Sequence, residues 1–202
     1  MMIEAIGILF AFPIMLLNFL GGFVGGIGLI IQGEWTKFFI GIAYAFSGGF
    51  IVSILMLPSL VLLPLVLWAG ERENTVLMIL AAIPNLIWTY VVIAVSCVAV
   101  FGAMVKGSDG DIFHLLWGYS AAIGPWSFLA NKDRQNGETE STTSMLFIQI
   151  GTIAMMIHCY IRPDLTDLTD LMKWFLPFLG LGIVVQLAGS VMAIQKRRNR
   201  GF

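Results

Sequence analysis

The side chains able to bind a ligand or move a proton are few, and most of them gather at two neighbouring ends of apolar stretches. Asp109, Asp111 and His114 open one stretch, while His158 and Cys159 close the next. Asp111 and His114 are one helical turn apart, a spacing that would let a carboxylate and an imidazole share a metal ion. His114 and His158 are the only histidines, hence the only pair that could supply axial ligands to a haem. An imidazole that titrates near neutrality would also permit pH sensing. A plainer reading makes Gly110 and Asp111 a turn and helix N-cap, with both histidines at an interface. That reading is preferred, and no metal or cofactor is expected.

A second set of polar residues lies inside apolar sequence. Asn85 directly follows Pro84, so its amide could satisfy a carbonyl freed by the proline or face a polar cavity. Gln149 and Gln186 sit deep in their stretches, where an unpaired amide costs about 1–3 kcal/mol, so each needs a partner. Gly21, Gly22, Gly25 and Gly26 form two overlapping pairs of small residues four apart, with Gly28 one turn further and Asn18 one turn before. Such a face permits close approach of another helix, within the chain or from a partner, and Asn18 could donate across the contact.

Other chemistry is missing from the sequence. No Asp, Glu, Lys or Arg lies deep within an apolar stretch, where proton relays and charge-coupled carriers place such groups. No phosphate-binding loop, zinc-protease motif or nucleophile elbow occurs, and no enzymatic activity is expected. With a formal net charge of −1, the chain has no general attraction to nucleic acid.

The elements that position these residues follow from the distribution of charge. Apolar residues make up 58% of the 202 positions and charged residues 11%, with a mean hydropathy of +0.91. Apart from Glu4, the charges cluster between six uncharged stretches: 5–33, 38–70, 74–105, 112–131, 141–161 and 174–195. Each reaches the roughly 20 residues needed to cross a hydrocarbon core as a helix. The predicted fold is therefore an all-α polytopic transmembrane bundle of about six spans, forming a single domain over residues 1–202. The first three stretches, at about 30 residues each, exceed a straight crossing, and Pro13, Pro58, Pro64 and Pro84 mark where they bend. Residues 58–70 are too short to cross alone and are expected to form a re-entrant or interfacial extension.

Lys196, Arg197, Arg198 and Arg200 place a basic tail in the cytoplasm, and six spans put the N-terminus there too, in a cell or inner membrane. Charge alone slightly favours seven spans; the length of the 58–70 segment favours six. Trp35, Trp68, Trp117, Trp126 and Trp174 fall near span ends, as interfacial indoles do, while Trp88 lies deeper. Residues 131–143 are expected to form a polar inner loop. The repeated Leu-Thr-Asp of residues 163–174 is expected to form an amphipathic turn on the outer surface. Cys97 and Cys159 lie in apolar sequence, so no disulfide framework is expected.

The functional expectation is a non-enzymatic membrane component, in contact with lipid and assembling with itself or another membrane protein through glycine-rich faces. A small transporter or channel for a neutral or weakly polar solute is the alternative, with Asn85, Gln149 and Gln186 lining its path. An outer-surface metal or haem site is the weaker third.

Overall fold

The computed structural model describes residues 2–71, 75–135 and 139–199. Among these, seven helices account for nearly all of the chain: α1 (Met2–Ile31), α2 (Trp35–Leu55), α3 (Leu57–Glu71), α4 (Thr75–Val105), α5 (Ile112–Gln135), α6 (Thr139–Ile161) and α7 (Leu168–Asn199). The stops between them have local causes. At the end of α1, Gly33 adopts φ +78°, its N–H donates to Ile30 O and the N–H of Glu34 reaches Leu29 O at 2.8 Å. This is a Schellman turn, which favours glycine because a side chain is strained at positive φ. Between α2 and α3, Pro58 lacks the N–H that would continue the ladder, yet is tolerated in the first turn of α3.

α5 is the central element, packing against α1, α2, α4 and α6, and α7 closes the bundle against α4 and α6. Tyr90, Phe101, Leu115, Tyr119, Ile123, Met155, Leu171 and Phe175 form the most buried part of the core. α3 lies at the edge, against α4 and α2. The outside of the bundle is also apolar: Phe46 is 86%, Ile31 80% and Phe19 72% exposed. Two stretches among the described residues, Ile79–Val105 and Leu168–Ala188, are long and apolar enough to cross a membrane; Leu16–Ile31 and Leu146–Ile161 are shorter apolar helices.

Several sequence expectations change in detail. The 58–70 segment is a distinct helix of 15 residues, set off from α2 by a one-residue break at Met56. Much of the proposed 131–143 loop is helical, since α5 runs to Gln135 and α6 begins at Thr139; residues 136–138 lie outside the described set. The Leu-Thr-Asp repeat is a largely exposed turn only over residues 163–167. It runs into α7, where Leu171 is fully buried and packs with Leu168 over Gly102 of α4. Of the basic tail, α7 carries the backbone to Asn199, and residues 200–202 lie outside the described set. Cys97 and Cys159 are free and buried.

Candidate functional site

The polar residues at one end of the bundle form a clasp between helices. Asp111 caps α5: its Oδ1 accepts from the N–H groups of Phe113 (2.8 Å) and His114 (3.3 Å). Its Oδ2 accepts from Gln32 Nε2 at 2.9 Å, tying the end of α1 to the start of α5. His114 Nδ1 lies 3.2 Å from Asp111 Oδ1. Partial burial alone would raise the Asp111 pKa, but the bonds from Gln32, His114 and the two backbone N–H groups outweigh it and hold the carboxyl below its ordinary 3.8. Lys37 Nζ donates to Lys106 O at 3.2 Å, and Trp117 Nε1 donates to Lys37 O at 3.2 Å. The capping reading of Gly110 and Asp111 therefore describes the local geometry, with Gly110 at φ +76° in the turn.

The end of α6 packs beside this turn, a Cβ on Gly110 meeting Cys159 O at 3.3 Å, but the other members of the outer cluster make different contacts. Asp109 is exposed, with φ +49°. His158 stacks on Trp174 of α7, with ring centroids 5.2 Å apart and planes 27° from parallel. Among the described residues, no three His, Cys, Asp or Glu side chains converge to hold a metal ion. The Nε2 atoms of His114 and His158 are both buried without a hydrogen-bond partner among the described residues.

The glycine row of α1 lies against α5 of the same chain. A Cβ on Gly25 would stand 2.6 Å from Trp117 N and 2.9 Å from Phe113 O; one on Gly21 would meet Ser120 Oγ at 3.0 Å. Gly22 lies over Ser120, Gly26 over the Trp117 ring, and Gly28 over the Phe113 ring. From α2, Gly41 makes room for the same indole and Phe38 stacks on it at 5.3 Å. Trp117 therefore fills a slot that glycines of two helices leave open. Asn18 does contribute to this seam, but through its backbone: its carbonyl accepts from Ser120 Oγ at 2.8 Å.

The deeper amides are distributed over three helices. Gln186 Oε1 accepts from Tyr90 Oη at 2.7 Å, joining α7 to α4, and Gln149 is also engaged. The backbone carbonyl of Asn85 accepts from Thr89 Oγ1 at 2.9 Å, whereas Asn85 Oδ1 is buried without a partner among the described residues. Tyr119 Oη shares that condition. Tyr44 lies beside Ser96 and Cys97, and Cys97 donates weakly to Ala122 O at 3.6 Å.

Two contributors escaped the sequence reading. Gln32 stands near the end of the first apolar stretch, and nothing local links it to Asp111, 79 positions away. Trp88 stood out for its depth, and the structure supplies the reason. At the α2–α3 break Ser59 N bonds to Met56 O instead of Leu55 O, and Trp88 Nε1 donates to Leu55 O at 2.9 Å. An indole on α4 thus satisfies a carbonyl left open by the break. An apolar crevice of about 530 Å³ lies alongside, lined by Leu57, Pro58, Val61, Pro84 and Trp88.

Fold and site together define an all-α bundle with an apolar exterior, two helices of membrane-crossing length, and polar groups engaged largely between helices. Comparisons with protein families, characterised proteins and solved structures find no match.

Proposed function

We propose that the chain is a six-span integral membrane protein acting as a non-enzymatic component, with both termini in the cytoplasm and the Asp111 clasp on the opposite side. Six helices have 21 to 32 residues, at or above the roughly 20 a crossing requires. α3, with 15 residues, would span only about 22 Å and lies along α4 without crossing. The apolar exterior supports the same reading, because large exposed apolar surfaces call for lipid or a partner.

The non-enzymatic reading rests on how the polar groups are used. Asp111, Gln32, Trp117, Ser120, Trp88 and Gln186 all make bonds that join one helix to another. Assembly with itself or with another membrane protein remains the proposed role. Because the α1 glycine face is filled by α5, that assembly must use other faces. Cross-linking the full chain in its native membrane with a lipid-soluble bifunctional reagent tests this. A discrete homo-oligomer or hetero-complex is expected; a strictly monomeric chain would overturn it.

The second reading, a path for a small neutral solute, draws on Asn85 Oδ1 and Tyr119 Oη, which are buried without a partner among the described residues. Polar atoms left unpaired in a low-dielectric interior favour water or a small polar guest. Swelling of proteoliposomes in urea or glycerol, slowed by Tyr119→Phe, would favour this reading; impermeable vesicles would exclude it.

A further inference from the structure

We infer that the cleft between the end of α6 and the start of α7 is a binding site for an anionic phospholipid; the inference rests on the membrane reading above. The cleft has a volume of about 340 Å³ and is lined by Ala154, Ile157, His158, Ile161, Arg162 and Trp174. Its four α6 residues and Arg162, which directly follows the helix, recur at intervals of three and one, forming one stripe. Over the roughly 12 Å from Ala154 to Arg162 the stripe changes from apolar to cationic. This is the polarity sequence of an acyl chain leading up to a phosphodiester.

Each part of the lipid has a counterpart. Ala154, Ile157, Ile161 and the Trp174 ring form an apolar wall for one acyl chain. His158 is held by its stack on Trp174 and lines the cleft between the apolar wall and Arg162. Arg162 stands at the mouth. Its contact with Asp164 is a single Nε–Oδ1 approach of 3.5 Å between side chains that are 58% and 64% exposed. So open a pair is weak, and its guanidinium can turn to a phosphate, for which its planar fork is well suited. The nearby Asp170 is engaged by Lys173 at 2.6 Å. Asp164 is thus the competitor for Arg162, and neutralising it should strengthen lipid binding.

The test is native mass spectrometry of the full chain from detergent micelles, titrated with dioleoylphosphatidylglycerol or dioleoylphosphatidylcholine. Preference for phosphatidylglycerol is expected, reduced about 10-fold by Arg162→Ala, the equivalent of a charge-assisted bond of about 1.4 kcal/mol. Ile157→Ser should weaken both lipids, and Asp164→Asn should raise phosphatidylglycerol retention. Inorganic phosphate alone should not displace the lipid. Equal retention of both lipids by wild type and Arg162→Ala would overturn the inference, as would full displacement by phosphate, which would mark a simple anion site. Alkaline carbonate extraction separates the two levels of failure: a chain that stays in the membrane without lipid preference refutes only the site, whereas one that is released refutes the membrane reading.

Discussion

Replacing Gly25 with alanine should separate α1 from α5. The added Cβ would lie 2.6 Å from Trp117 N, 2.9 Å from Phe113 O and 3.0 Å from Trp117 Cα. These are backbone atoms of a central helix, so no side-chain rotation relieves the contact. Optimal packing distances for carbon are about 3.5–4.0 Å, so α1 must retreat by about 1 Å. Overpacking of this kind costs about 1–3 kcal/mol. The shift also pulls on the Ser120 hydroxyl bond to Asn18 O, now 2.8 Å, whose loss adds about 0.5–1.5 kcal/mol. Gly180 of α7 is the control: a Cβ there meets nothing within 4 Å, and a helical Gly→Ala replacement in open space gains about 0.5–1 kcal/mol. Reversible unfolding in mixed micelles, followed by circular dichroism, gives both values. Gly25→Ala should be clearly destabilised and Gly180→Ala unchanged or slightly stabilised. Equal stability of the two variants would refute the close α1–α5 seam.

Three further outcomes follow from the same geometry. Trp88→Phe keeps the ring but removes the donor to Leu55 O, and should cost about 0.5–1.5 kcal/mol in the same unfolding assay, the net worth of one hydrogen bond. Asp111 has a folded pKa below 3.8, so its stabilisation is complete above that value and is lost as pH falls through the lowered folded pKa. Unfolding between pH 6 and pH 2 should show this acid limb, and Asp111→Asn, which can still cap α5, should flatten it. Tyr90→Phe should leave Gln186 Oε1 short of its 2.7 Å donor and lower stability by about 1 kcal/mol, again by micelle unfolding.

What was legible in the sequence was set by local signals. Charge clusters and glycines located the helix ends: the uncharged stretch ending at Gly33 corresponds to α1 with its left-handed cap, and the stretches at 74–105 and 112–131 to α4 and the first part of α5. Pro58 and the short 58–70 segment marked an extension that does not cross alone, because backbone chemistry and length are one-dimensional properties, but not that it would be a separate helix. Partnership was not legible. The glycine row showed that a helix would approach, but not that the helix was α5, whose Trp117 and Ser120 lie about a hundred positions away. The same-depth argument brought the end of α6 to the Asp111 turn, where Gly110 lies against Cys159 O, but did not give the direction of the His158 ring, which stacks on Trp174 of α7. The indole of Trp88 found its use only where a break in another helix exposed a carbonyl.

The central claim is that six helices cross the membrane, and single-cysteine labelling of intact cells with a membrane-impermeant maleimide addresses it most directly. With Cys97 and Cys159 replaced by alanine, cysteines are placed one at a time at Glu34, Asp109 and Asp164, and at Arg72, Asn136 and Asn199. The first three should label from outside and the last three only after the membrane is opened. Labelling of Arg72→Cys from outside would put α3 across the membrane, and labelling of all six without permeabilisation would contradict the membrane bundle itself.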